Sequence, residues 1–145
     1  MNSFKIMSVN VSSQKGEVKT PVEKIVLKEQ FGIIGDAHAG EGPRQVSLLA
    51  QEDIDTIVAR GMRISYGDFA ENITTLGIDL ASLPIGSNIS IDRVVLEVTQ
   101  IGKECHNRCA IYEKTGDCVM PSRGIFTKVI KGGEVNDKSI GTYYL

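Results

Sequence analysis

Apolar residues recur along this chain in short runs broken by glycine, proline, asparagine and aspartate. "FKIMSVNV" sets Phe4, Ile6, Val9 and Val11 among polar residues in an imperfect alternation, and "VEKIVLKE" supplies Val22, Ile25, Val26 and Leu27. The segments "RQVSLLA", "ENITTLG", "SNISI", "RVVLEVTQIG", "GIFTKVIKG" and "GTYYL" continue the same texture. β-Branched and aromatic residues bounded by turn formers are the signal of strands. Many short strands with frequent turns predict a barrel or sandwich rather than a helical bundle.

One segment has helical spacing. "AQEDIDTIVARG" puts Ile54, Ile57 and Val58 at i, i+3 and i+4, carries acids in its first turn and meets Gly61 at its end. A second short helix is expected around Cys105, limited in length by "KTGD". The expected fold class is therefore mainly β: a β-barrel of antiparallel and mixed strands with one or two short external helices.

With 145 residues, 41% of them hydrophobic and 23% charged, the chain is expected to form a single domain over residues 1–145. A domain of that size buries enough surface to fold without a disulfide or a metal. "MNSFKIMSVNVSSQKG" lacks the basic-then-apolar pattern of a secretion signal, and no stretch reaches the ~20 apolar residues that cross a bilayer. A cytoplasmic protein without membrane contact is expected. There thiols stay reduced, and clustered cysteines serve catalysis or metal binding more often than cross-linking. The net charge of −2 argues against general nucleic-acid binding. Charge is nonetheless uneven: residues 101–131 hold six Lys or Arg against three Asp or Glu, +3, which leaves −5 for the remainder. That local excess would favour thiolate and anionic ligands.

All three cysteines, and one of the two histidines, fall in "KECHNRCAIYEKTGDC", Lys103 to Cys118. A zinc site could draw on Cys105, His106, Cys109 and Cys118, but only Cys105 and Cys109 have knuckle spacing, and Cys118 has no partner nearby. A reactive thiol is the other reading. A free cysteine is only about 3% thiolate at pH 7, and cations such as Lys103, His106 and Arg108 raise that share. Unpaired cysteines that simply pack as small hydrophobes are a third. Composition alone leaves these open. Two glycine-rich turns add candidates: "GIIGDAHAGEG" around Asp36 and His38, and "SYGDFAENITT" around Gly67, Asp68, Phe69, Glu71 and Asn72.

Four blocks in order, "GIIGDAHAG", "RQVSLLAQEDID", "GDFAENITTLGIDLASLPIGS" and "LEVTQIGKECHNRCAIYEKTGDCVMPSRGIFTKVIKGGEV", resemble the MOSC domain family. This is the module at the C-terminus of molybdenum-cofactor sulfurases, also found as stand-alone bacterial proteins, and the short bacterial members are the nearest in character. The resemblance implies a β-barrel and a link to the molybdenum cofactor, molybdopterin, with no pyridoxal phosphate held by this chain itself. It implies a sulfur carrier that takes sulfur as a cysteine persulfide from a pyridoxal-phosphate cysteine desulfurase and passes it to a metal–sulfur centre. Any such sulfurtransferase-like activity depends on partner proteins: the desulfurase, and molybdenum-cofactor biosynthesis proteins or molybdoenzymes.

In that reading Cys109, in "RCAI", is the primary thiol, Cys105 and Cys118 are secondary, and Arg108 activates. Asp36, His38 and Asn72 become cofactor contacts, while Arg44 and Arg123 suit a pterin phosphate. The alternatives are a cofactor-binding module with Cys109 as molybdenum ligand, and a zinc-stapled adaptor. Oligomeric state is not readable.

Overall fold

The structure is a computed structural model that describes residues 2–15, 17–102 and 123–144. Its first strand, β1 (Asn2–Val11), explains the imperfect alternation at the start of the sequence. Pairing with β6 (Ile73–Leu76) shifts register between Ile6 and Ser8, a bulge at Met7. A bulge inserts one residue and exchanges the faces. Phe4 and Ile6 therefore point into the core on one side of it, and Val9 and Val11 on the other. Beyond the bulge, Ser8, Asn10 and Ser12 share the opposite, outer face, a polar stripe that matters below.

The other elements among the described residues include β2 (Thr20–Val22), β3 (Lys24–Lys28), β4 (Gly32–Ile33), β5 (Val46–Ala50), α1 (Gln51–Val58), β7 (Asn88–Ile91), β8 (Val94–Ile101), β9 (Ile125–Lys131), β10 (Gly133–Asn136) and β11 (Ile140–Tyr143). A 3-10 turn spans Leu80–Ser82. Seven strands close a barrel in the order β11-β7-β8-β9-β5-β6-β1, sealed by β1 against β11, with β2 added beside β1. Strands β10, β3 and β4 form a separate small sheet. Pairing is antiparallel except for β5 with β6, which run parallel because α1 carries the chain back between them.

The interior is aliphatic. Val46, Leu48, Ile73, Ile89, Ile91, Leu96, Val98, Ile125 and Val129 are fully buried in one cluster with Phe4 and Ile6. A second cluster lies outside the wall, where Ile54 and Ile57 of α1 cover Leu49, Phe69, Ala70 and Phe126. Each such aliphatic side chain contributes roughly 1.5–3 kcal/mol by leaving water. Val58, the third apolar residue of the helical pattern, is 44% exposed, because the barrel covers only one narrow stripe of this short helix.

The expected mainly β barrel with an external helix is thus what the chain forms. The helix expected around Cys105 lies outside the described residues. No helix among the described residues is long and apolar enough to cross a membrane.

Candidate functional site

The two glycine-rich turns meet on a lysine that belongs to neither of them. Lys19 lies between β1 and β2, and its ammonium is wholly buried. Lys19 Nζ donates to Asp36 Oδ1 at 2.8 Å, to Ser12 Oγ at 3.0 Å, and approaches His38 Nδ1 at 3.1 Å. The backbone of the same residue is held by the other turn, Lys19 N donating to Gly67 O at 2.7 Å. Gly67 has φ +90, and a Cβ there would lie 2.1 Å from Lys19 O, so only glycine lets the two segments touch.

Asp36 is the hub of this corner. Its Oδ1 accepts the Ser12 amide at 3.1 Å and its Oδ2 accepts the His38 amide at 3.1 Å. Burial alone would raise the carboxyl pKa. The hydrogen bond and charge of Lys19, with the two amides, outweigh burial and hold it below the usual carboxylate value. His38 keeps 24% of its side chain exposed, while Asp36 keeps none.

Asn72 occupies a different place. It is fully buried, its Oδ1 accepting Ser47 N at 3.0 Å and Ser47 Oγ at 3.2 Å, while its Nδ2 donates to Asn10 O at 3.1 Å. These bonds fasten the start of β6 to β5 and β1. Asn10 Nδ2 in turn donates to Glu71 O, and Ser8 Oγ to Asn10 Oδ1, so the polar stripe of β1 is consumed by this network. Beside it, burial pushes the Glu71 carboxyl up to about 7, against the pull of the bonds it accepts from Phe69 N at 3.2 Å and Thr74 Oγ1 at 3.1 Å.

The cysteine segment departs from another part of the wall. Residues 103–122 connect β8 to β9, and Gly102 N donates to Gly124 O across the two ends at 2.6 Å. Cys105, Arg108, Cys109 and Cys118 lie outside the described residues. A hydrogen-bonded row links that exit to the Asn72 turn: Ile101 pairs with Ile125, Ile125 with Leu48, and Leu48 with Ile73.

Arg44 and Arg123 have different partners. Arg123 Nε donates to Asp53 Oδ1 at 2.9 Å and its Nη2 to Asp79 Oδ1 at 2.6 Å. The Asp53 bond, reinforced by Asp79, raises the Arg123 pKa further. Arg44 is exposed, lies over the Phe126 ring with Cζ 5.2 Å from its centroid, and donates from Nε to Gln100 at 3.0 Å. Lys128 reaches Glu97 at 3.5 Å. The positive excess of residues 101–131 is therefore offset, at Arg123 and Lys128, by carboxylates supplied from elsewhere in the fold. Beside Arg44, an open cavity of about 470 Å³ is lined by Gln30, Glu41, Gln45, Thr99 and Lys128.

Of the residues expected at a site, Asp36 and His38 come together. Asn72, Arg44 and Arg123 are bonded to other partners: Asn72 to Ser47 and Asn10, Arg44 to Gln100, and Arg123 to Asp53 and Asp79. Lys19 is the addition, and no local pattern could have announced it: its partners lie 17 and 19 residues away. Among the described residues, no group of three or more His, Cys, Asp or Glu could hold a metal ion.

Known proteins place this architecture. The YuaD protein from Bacillus subtilis has the same fold, with TM-score 0.80 and 20% identity over 99% of this chain and 98% of that one. YiiM from Geobacillus stearothermophilus follows with TM-score 0.75 and 19% identity over 98% and 75%. YiiM from Escherichia coli has TM-score 0.73 and 14% identity over 100% and 71%. No curated protein matches the chain. The sequence profile of the MOSC domain matches residues 35–138, most of the barrel and both glycine-rich turns. The chain belongs to the MOSC domain family, a family linked to molybdenum-cofactor sulfurase-type proteins.

Proposed function

We propose that this protein is a sulfur carrier in molybdenum-cofactor metabolism. The observation that carries the reading is positional. Every cysteine of the chain falls in the one connection, residues 103–122, that springs from a tied rim of the barrel. Gly102 and Gly124 close its base, and Arg123, bound to two carboxylates, anchors its return. A carrier thiol must be presented to two large partners in turn, and a tied rim of a rigid barrel gives the segment that holds all three thiols a fixed root.

In this reading the Cys109 thiolate attacks the outer sulfur of a desulfurase persulfide. A new S–S bond forms on Cys109, the desulfurase S–S bond breaks, and the desulfurase leaves as thiolate. The product is a protein persulfide, a reversible cysteine cap. Delivery follows when Cys105 or Cys118 attacks the Cys109 sulfur. Two thiols are oxidised to a disulfide, and the carried sulfur leaves reduced, as hydrosulfide, to a metal–sulfur centre.

Molybdopterin itself is a poorer fit to the described residues. Its phosphate calls for uncommitted donors, yet the Arg123 fork is taken by Asp53 and Asp79, and the Asn72 carboxamide is buried against Ser47 and Asn10. Arg44 lies over the Phe126 ring with its Nε on Gln100, and His38 Nδ1 is met by Lys19. The described residues alone compose no pterin-phosphate site.

The test is intact mass after incubation with a cysteine desulfurase and cysteine. Wild type is expected to gain one sulfur atom, and Cys109→Ser to gain none. No adduct on wild type, or an equal adduct on Cys109→Ser, defeats the assignment.

A further inference from the structure

The corner built by Lys19, Asp36 and His38 settles which kind of chemistry His38 can offer. An ammonium group has three donors and no acceptor. Its approach to His38 Nδ1 at 3.1 Å therefore requires a lone pair on Nδ1, which places the ring hydrogen on Nε2. The competing arrangement would be an imidazolium paired with Asp36. That carboxylate oxygen stands farther off, 3.8 Å from Nδ1, and the other oxygen is held by Lys19 at 2.8 Å. An imidazolium would also bring a second positive charge against a buried ammonium.

We propose that Lys19 is a positioning residue that keeps His38 neutral, with Nδ1 occupied and Nε2 carrying the hydrogen. Lys19 sits between a histidine and the aspartate that would otherwise charge it. Nδ1 faces Lys19 and Asp36, two side chains with no exposed surface, while about a quarter of the His38 side chain stays exposed. Whatever His38 meets at Nε2, from a ligand or from the chain itself, is a hydrogen-bond acceptor such as an anionic oxygen or a thiolate. In this state His38 is neither a metal ligand nor a proton acceptor at that atom. The inference does not depend on sulfur transfer.

Among the described residues, Lys19 from the β1–β2 connection and Asp36 from its own turn are charged groups that face His38. The test is long-range ¹H–¹⁵N correlation of the imidazole nitrogens near pH 7. The chain has two histidines, so His106→Gln assigns the signals. Wild type is expected to show a bare Nδ1 and a protonated Nε2, unchanged by equimolar Zn²⁺. In Lys19→Met, His38 is expected to become an imidazolium paired with Asp36, its midpoint rising by about one pH unit or more. If Lys19→Met fails to fold, Lys19→Met with Asp36→Asn removes both charges, and His38 is then expected to titrate near the ordinary value of about 6.5.

An imidazolium or Nδ1–H form in wild type overturns the proposal. So does a zinc-induced shift at His38, or a folded Lys19→Met protein whose His38 stays as neutral as before. In the double variant, a His38 that still resists protonation does the same. None of these readings touches the sulfur adduct on Cys109, so either idea can fail alone.

Discussion

Arg123 Nε lies 2.9 Å from Asp53 Oδ1, and this one contact joins the residue after the cysteine segment to the first turn of α1. Asp79 takes the other arm of the guanidinium, so the arginine is a strut rather than an open anion receptor. Arg123 is 41% exposed, which limits what its ion pairs contribute. Arg123→Gln is expected to lower stability by only about 1 kcal/mol in urea unfolding. Phosphate should raise the melting temperatures of wild type and variant equally at matched ionic strength. A phosphate benefit confined to wild type would restore the anion-binding role.

Glu71 sets an unusual pH dependence. Its carboxyl pKa is raised from 4.5 to about 7 by complete burial, so the folded state binds its proton more tightly than the unfolded state. Its stabilising contribution is full below pH 4.5, falls as pH rises through about 7, and stays lost above. The loss amounts to about 3 kcal/mol. Glu71→Gln should flatten the slope over that window and leave the protein more stable than wild type in denaturant melts at pH 8.

Asp36 works in the opposite sense. Its folded pKa lies below 3.8, so its contribution holds above that value and disappears as pH falls through the lowered pKa. Lys19 and Asp36 have no exposed side-chain surface, so Asp36→Asn takes the bonded carboxylate from a buried ammonium, and Lys19→Met leaves Asp36 the longer, partly exposed pairing with His38. Asp36→Asn and Lys19→Met are each expected to cost about 3–5 kcal/mol. The double variant should cost clearly less than their sum, and additive losses in a double-mutant cycle would refute the coupling.

Gly67 and Gly35 offer a matched comparison. Both adopt φ near +90, but a Cβ on Gly67 would strike Lys19 O, whereas Gly35 has nothing within 4 Å. Gly35→Ala should cost about 1 kcal/mol from backbone conformation alone. Gly67→Ala should cost more than about 3 kcal/mol, because the turn must leave Lys19. Equal losses would mean that the contact is not structural.

The barrel strands were legible because their side chains meet solvent on one face and the core on the other, and "RVVLEVTQIG" and "GIFTKVIKG" carry that pattern in their own residues. Strands β2, β4 and β10 were not, since "TPV", "GI" and "GEVN" carry at most one core residue each and exist through pairing with β1 and β3. Asp36 and His38 could be picked out from their glycine-rich setting. Their dependence on Lys19 could not, because a lone lysine before "TPV" looks like any solvated cation until the fold buries it. Asn72 was conspicuous for its loop, but three-dimensional pairing turns its amide inward to Ser47 and Asn10. Arg123 was read by its charge, and only the approach of α1 and the segment before the 3-10 turn reveals what neutralises it.

The seam between β1 and β11 has a kinetic consequence. Asn2 pairs with Tyr143, so the cylinder joins residues separated by almost the full described length. No early hairpin can complete it. A ribosome-bound fragment lacking Ile140–Tyr143 would leave the β1 and β7 edges open, and final sealing awaits that strand. Refolding from denaturant should accordingly take milliseconds to seconds, paced by this distant encounter.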